Sequence, residues 1–431
     1  MREEKPREIA LHILQRDAGG DFVEDRLEAE LARTRLSPPD RHLCQELAYG
    51  ITRWQATLDW LIARKTNART QNPMLQNLLR LGLYQIFWLD RIPDHAAVNE
   101  TVELARQSGF HTQAGFVNAV LRGFLRQSDA TRLLLAELKN TQPHLGYSHP
   151  EWLVARWQAR WGAENTVKLM EWNNTPPKAF ARINTLKADP AKLLVQWREE
   201  NVEYDFVRRG WLEENQVFEL KSHPALSLLP SFQQGLFYVQ DPSTLLAVHE
   251  LDPQPGETVL DLCAAPGGKL AFIAQLMRNE GRLVAHDTSP DRLKLIEENC
   301  ARLGVTCAQT VLFSTLNSQL STPFDRILID APCSNTGVMR RRVDLRWRIR
   351  AKEIGRLRAT QLELLSHAAS LLKPGGRLVY STCSLEPEEN SDVLAGFLAA
   401  HTDFKLELSR ELLPFADAVD GTYVARLAKV G

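Results

Sequence analysis

The sequence predicts a multidomain protein: an all-α bundle at the N-terminus, a small α+β region in the middle, and a C-terminal α/β domain on an open, largely parallel sheet. Three observations predict it. Apolar residues recur at helical spacing through the first part, with no strand-like alternation of comparable length. After about residue 140 the pattern becomes mixed. From about residue 236 short β-branched and apolar runs alternate with helical stretches. Boundaries at 1–140, 141–235 and 236–431 follow, within the two or three domains expected of 431 residues.

In the first region, Met74–Trp88 carries a helical stripe of Leu75, Leu78, Leu79, Leu83, Ile86 and Phe87, and Pro93 breaks it. The stripe returns around residues 116–125, with Phe116, Val117, Val120, Leu121 and Phe124. Thr141–Trp152 has proline, glycine and histidine but little apolar periodicity, and reads as a connector. A helix follows, stopped by NNTPP at Asn173–Pro177. Phe180–Leu186 then suits a strand and Ala188–Glu199 a helix. In the last region Thr258–Leu262, Leu283–His286, Phe324–Ile329 and Arg377–Tyr380 are strand candidates. Ser289 and Pro290 suit the start of an intervening helix. TYVARLA near the C-terminus fits an added strand, edge or central.

A formal net charge of −1 excludes a generic basic nucleic-acid coat, so any polyanion site must be local. No run of about 18 apolar residues appears, and MREEKPREIALHIL lacks a secretory apolar core. A cytoplasmic protein without a membrane partner is expected. Six cysteines form neither a CxxC pair nor a cysteine–histidine cluster, so neither a metal nor a disulfide framework is expected.

Asp261–Lys269 reads DLCAAPGGK. A strand runs into a loop of small residues: Cys263, Ala264, Ala265 and Pro266, then Gly267 and Gly268. The glycines permit close ligand approach, and the next helix start offers free N–H groups. Asp261 is suited to face a ligand amine, and Lys269 belongs to the same loop. The loop lacks both GxGxxG and GKS or GKT, which weakens dinucleotide and triphosphate readings. Asp287 ends the next strand, where an acid can accept from a nucleoside ribose. A tight turn without ligand and a solvated Asp287 are the plain alternatives.

Phe324–Ile329 leads into DAPCSNTG and Arg377–Tyr380 into STCSLEPEEN. Cys333 and Cys383 therefore lie just beyond strand ends, where ligands gather in open α/β sheets. Their polar neighbours are unusual for core plugs, the plain role that suits Cys263, Cys300 and Cys307. Two thiols in one cleft suit methylation of cytosine at C5. Sulfur addition at C6 makes C5 nucleophilic, and a second thiol can assist proton removal or release. Asp330 is placed to hydrogen-bond cytosine at N3 or N4, with turn capping as the alternative.

Met339–Lys352 reads MRRRVDLRWRIRAK. Arg340, Arg341, Arg342, Arg346 and Arg348 stand with Asp344 as the sole acid, a pattern suited to phosphates or to a solvated helix face. Around the middle strand, Lys178, Arg182, Asn184 and Lys187 offer further polar contacts. RNA and DNA are not distinguished by phosphate attraction.

As a set, these motifs resemble the NOL1/NOP2/Sun family of RNA cytosine-C5 methyltransferases, over nearly the whole chain. Within it, the resemblance is to the bacterial members that modify small-subunit ribosomal RNA. VNETVELARQSGF at Val98–Phe110 and FVNAVLRGFLR at Phe116–Arg126 are similar to the NusB-like helical RNA-binding domain of those members. The resemblance implies a small α+β RNA-binding region, a Rossmann-like catalytic domain, S-adenosyl-L-methionine as cofactor and cytosine 967 of the 16S rRNA as target. It implies Cys383 as covalent nucleophile, Cys333 as the residue assisting release, Asp330 as the cytosine-contacting acid and Asp287 as the ribose-binding acid. Arg292 joins the expected cofactor set, and Asn184 of RINTLK is expected to support the RNA or target site. A monomer without a stable protein partner is expected.

Two features depart from the family. AQTVLFST at Ala308–Thr315 lacks the acid usual near the adenine, leaving Gln309 as substitute. DGTYVARL at Asp420–Leu427 replaces a more aromatic form. The competing readings are a nucleophilic Cys333, as in DNA cytosine methyltransferases, a non-catalytic RNA-binding or ribosome-assembly protein, and a weaker nicotinamide oxidoreductase.

Overall fold

The computed structural model describes residues 5–15, 21–312 and 323–430. The chain divides into two compact units, Met1–Pro176 with Met339–Arg348, and Pro177–Val338 with Ile349–Gly431. Residues 141–176 thus lie in the first unit and 177–235 in the second.

The described part of the first unit is helical. Its central helix, Pro73–Trp88, starts where Asn72 Oδ1 accepts from Met74 N at 2.9 Å and Pro73 occupies the first turn, two favourable N-terminal features. The expected stripe is buried, and Asn77 and Gln85 are buried with it. Helix Pro38–Arg53 packs beside it so closely that a Cβ on Gly50 would lie 2.0 Å from Tyr84 Cζ. The expected bundle is therefore present, and Val343 from the returning segment joins its core. The connector Thr141–Trp152 is more ordered than its composition suggests. It holds the short helix Pro143–Gly146 and the start of Glu151–Asn174, which is kinked at Gly162.

The second unit holds two sheets. The smaller comprises β1 (Ala179–Ile183), β2 (Glu203–Phe206), β3 (Val217–Ser222) and β4 (Phe237–Val239) in antiparallel order β2-β3-β1-β4. Helix Pro190–Glu199 covers it, and buried Trp197 meets Phe218 and Phe237 edge-on, with both centroid separations 5.3 Å. Such aromatic contacts add to the area they bury.

The larger sheet has β5 (Thr258–Leu262), β6 (Arg282–Asp287), β7 (Ala308–Leu312), β8 (Phe324–Asp330), β9 (Leu372–Thr382), β10 (Phe404–Leu412) and β11 (Thr422–Lys429). Its order is β10-β11-β9-β8-β5-β6-β7. Pairing is parallel from β7 to β9 and antiparallel from β9 through β11 to β10. Both faces of the parallel part are covered: Leu260, Ile327 and Leu378 enter one buried cluster and Val259, Leu328 and Val379 the other. That explains its near-continuous apolar strands. TYVARLA becomes β11, an interior strand between β9 and β10.

Chain order reverses beside β5, whose neighbours are β6 and β8. The carboxyl ends of β5, β6, β8 and β9 consequently lie along one edge, at the switch point where this sheet type binds ligands. Among the described residues no helix is long and apolar enough to cross a membrane.

Candidate active site

After β5 the loop is built to stay open. Cys263 has φ +72° and Gly267 φ +100°, Ala265–Pro266 is cis, and the helix Gly268–Leu276 begins at once. Ala264 N donates to His286 O at 2.9 Å and Ala265 N to Asp287 Oδ2 at 3.1 Å, fastening the loop to the end of β6. Gly268 leaves no space for a side chain, since its Cβ would meet Tyr238 Cε1 at 2.7 Å. Asp287 also accepts from Thr288 N at 2.8 Å and pairs with Arg292 at 3.1 Å. Arg292 reaches the Ala265 carbonyl as well, and Asn299 donates to Pro266 O at 2.9 Å. Asp287 thus braces the loop before any ligand binds, with carboxylate lone pairs to spare.

Asp261 is fully buried, and neither carboxylate oxygen has a hydrogen-bond partner. Burial, followed by the charge of Asp330, pushes its carboxyl well above the usual range. A buried carboxylate without partners is costly and fits a cationic ligand group in place of a proton. With the glycine loop and Asp287, it suits a nucleoside bearing an amine, as S-adenosyl-L-methionine does. Burial first, then Asp287 and Asp330, push the Cys263 thiol up to about 12, so it stays protonated.

Gln309 does not join this edge. It pairs with Val284 in β7, three residues before Leu312, which stands opposite Asp287. At roughly 3.3 Å per residue, it lies about 10 Å below the strand end and is exposed. The strand's register excludes it from the adenine-side role expected for it. Phe313–Thr315 of that motif lie outside the described residues.

The thiols meet as expected. Cys333 Sγ and Cys383 Sγ are 3.2 Å apart, well beyond disulfide length, and both cysteines are free. Parallel pairing of β8 with β9 sets this proximity, because Asp330 stands opposite Ser381 and each loop leaves from that level. Gly337 N donates to Cys383 O at 2.9 Å, joining the loops directly. The hydrogen bond with Cys383, then burial, then the charge of Cys383 raise the Cys333 thiol well above its ordinary value.

Lys269, at the end of the loop expected to hold the cofactor, pairs with Asp330, its Nζ 2.6 Å from Oδ2. Burial opposes the ammonium, but Asp330, followed by Cys383 and Asp261, outweighs it and raises the lysine. Ser381 donates to Asp330 Oδ1 at 2.8 Å. The site therefore holds a partly buried cation beside two thiols and an oriented acid.

Asn335 escaped the sequence reasoning. It sits at φ +58° and its Oδ1 accepts from Cys383 Sγ at 2.8 Å. Its place two residues after Cys333 was the available signal, since asparagine tolerates the left-handed region.

The expected RNA contacts fare differently. Arg346 is fully buried and donates to Ser148 O, Asn173 O, Asn174 Oδ1 and Arg53 O at 3.1, 3.0, 2.9 and 3.4 Å. Arg340 is also buried, its guanidinium 3.9 Å from the Trp172 ring centre. These two face protein, so neither presents its charge to phosphate. Arg341, Arg342 and Arg348 retain some exposure. Arg342 pairs with Glu24 at 3.6 Å and Arg348 with Asp344 at 3.0 Å.

In the second unit, buried Arg182 stacks over Phe272 at 4.7 Å and donates to Gly268 O at 3.1 Å, so it supports the cofactor loop. Buried Asn184 donates to Gly235 O and Leu303 O, each at 2.7 Å. Lys187 holds Arg302 O at 2.7 Å and Gln234 O at 2.9 Å. The segment braces a helix end, which corrects the expected RNA contacts of Arg182 and Asn184. Lys178 is exposed and pairs with Glu219 at 3.0 Å.

Comparison with known proteins bears on the whole chain. Residues 248–428 match the 16S rRNA methyltransferase RsmB/F family, 4–126 the NusB family, and 149–210 the RsmF/B-like ferredoxin-like domain. The probable ribosomal RNA small subunit methyltransferase B of Bacillus subtilis is 36% identical, covering 100% of both chains. That of Klebsiella pneumoniae subsp. pneumoniae is 36% identical over 92% of this chain and 91% of its own. The solved structure of PH0851 superposes with TM-score 0.79 at 25% identity, covering 99% of this chain and 100% of its own. A methyltransferase homolog from Pyrococcus horikoshii gives TM-score 0.59 at 32% identity over 67% of this chain and 97% of its own. With the sheet, the loop and the paired thiols, these likenesses mean that the chain belongs to the ribosomal RNA small subunit methyltransferase B family and is an rRNA methyltransferase.

Proposed function

We propose that this enzyme methylates C5 of a cytosine in small-subunit rRNA, cytosine 967, through a covalent bond between Cys383 and C6. The carrying observation is the 3.2 Å approach of the two thiols beside the Lys269–Asp330 pair. S-adenosyl-L-methionine, held by the loop Cys263–Gly268 with Asp261 and Asp287, supplies an electrophilic methyl group when bound. The orphaned Asp261 carboxylate supports that ligand.

Cys383 Sγ, as thiolate, adds to C6 and forms the C–S bond. The electron pair moves toward N3, where Asp330 holds the cytosine edge. C5 then takes the methyl group, a base removes the C5 proton, and the C6–S bond breaks with its electron pair returning to Cys383.

The pairing of the thiols orders these steps. At rest Cys333 is kept protonated, chiefly by its hydrogen bond with Cys383 and by burial. Once the Cys383 sulfur is bound to carbon it carries no charge, and that constraint is relieved. Cys333 then ionises more readily, at the stage that calls for a base. Arg341, Arg342, Arg348, Lys178 and Lys187 are the candidates left for phosphate contact.

The test mixes enzyme, cofactor and small-subunit RNA, maps the product base, and resolves protein–RNA adducts on a denaturing gel. Cys383→Ser should abolish both transfer and adduct, with transfer down at least about 10⁴-fold. Cys333→Ser should accumulate adduct. An adduct formed normally by Cys383→Ser, or a methyl group elsewhere than C5 of cytosine 967, refutes the proposal.

A further inference from the structure

The Glu389–Asn390 end of STCSLEPEEN has no part in the chemistry above, yet it is buried at the heart of the site. We infer that Glu389, seconded by Asn390, is a positioning residue that splints the two cysteine loops at the separation the two-thiol mechanism needs. The inference rests on that mechanism.

Glu389 is fully buried on the short turn after β9. Its Oε1 accepts from Ser334 N at 2.8 Å and from Gln361 Nε2 at 3.2 Å. Its Oε2 accepts from Ser384 Oγ at 2.5 Å and from Ser334 Oγ. Ser334 follows Cys333 and Ser384 follows Cys383, so one carboxyl group grips the residue beside each thiol. The two serine hydroxyls stand 3.0 Å apart, the same spacing as the sulfurs beside them to within a few tenths of an ångström.

Asn390 completes the splint on the nucleophile's side. Thr382 Oγ1 donates to Asn390 Oδ1 at 2.6 Å, and Asn390 Nδ2 donates to Ser384 O at 2.9 Å. The residues on both sides of Cys383 are thereby fixed. Glu389 itself is anchored, because Tyr380 OH donates to its carbonyl at 2.7 Å. A carboxyl group suits this position because its two oxygens together take all four donors. A buried network of this kind rigidifies only while every member is satisfied.

The hydrogen bonds of the Glu389 carboxyl go to Ser334, Ser384 and Gln361, beside the thiols rather than to them. Its loss should therefore be felt in turnover and thiol spacing, with little change in RNA capture. In the full-length enzyme, Glu389→Ala should lower single-turnover methyl transfer about 100-fold, as expected for roughly 1 Å of misplacement, while KM for RNA stays within about 2-fold. Cross-linking of Cys333 to Cys383 by a short bifunctional thiol reagent should fall in parallel. Glu389→Gln keeps an oxygen for the Ser334 N–H and should recover most of both signals. Should Glu389→Ala not fold, the Ser334→Ala/Ser384→Ala double variant removes the gripped hydroxyls and should slow transfer about 10-fold. Wild-type transfer and cross-linking in a folded Glu389→Ala or in the serine variant overturns the splint. If Cys383→Ser still transfers methyl, the two-thiol mechanism falls instead.

Discussion

Residues 330–337 and 340–348 are almost adjacent in sequence, yet their side chains answer to different parts of the molecule. The first stretch leaves β8 and brings Cys333 to Cys383 within its own unit. The second belongs to the helical unit, where Arg346 is buried among backbone carbonyls and Val343 enters the core. A thiol beyond a strand inherits its position from the sheet. A run of arginines has no such frame, and acceptors far away in the chain decide whether each guanidinium faces water or protein.

The largest expected effect in this contrast concerns the cysteine loops. A Cβ on Gly337 would lie 2.5 Å from Gly421 O and 2.8 Å from Cys383 O, both backbone atoms with little freedom to yield. Gly337→Ala should lower kcat about 100-fold through displaced thiols and cost roughly 1–3 kcal/mol in stability. Steady-state kinetics and denaturant unfolding read both, and unchanged kcat would mean that the loops tolerate separation.

Next comes the buried guanidinium. Arg346→Ala leaves its four acceptors without their donor, and the helical unit should lose about 3 kcal/mol. Arg346→Lys should restore little, because a single ammonium cannot reproduce the fork. Denaturant midpoints decide the point, and a loss below about 0.5 kcal/mol would return Arg346 to the list of RNA contacts.

The smallest stability effect is expected at Arg342, whose partly exposed pair with Glu24 is screened by solvent. Arg342→Ala should change stability by less than about 0.5 kcal/mol. If Arg342 meets a phosphate, RNA affinity falls severalfold and the log–log salt slope drops by about 1. An unaltered slope would remove it from the interface.

The parallel strands were legible because they are covered on both faces and written as apolar runs. The meeting of Cys333 with Cys383 was legible for the same reason. β10 was not, since Phe404 and Leu412 are its only buried residues and the strand lies at the sheet edge. Arg182 was misjudged because its partners are a carbonyl and an aromatic ring brought from β5's loop and helix. Glu389 went unread as well. Nothing in EPEEN distinguishes a carboxylate that folds back onto two serines from one that faces water.

The returning segment also governs the order in which the protein can be finished. Chains emerge from their N-terminus, and the helices up to residue 176 are made long before residues 339–348 exist. Until then the N-terminal unit lacks Val343, Arg346 and Trp347, the last of which donates to Thr52 O at 2.7 Å. A fragment cut at residue 176 is therefore an unfinished body, and its final closure waits for most of the catalytic sheet to be synthesised.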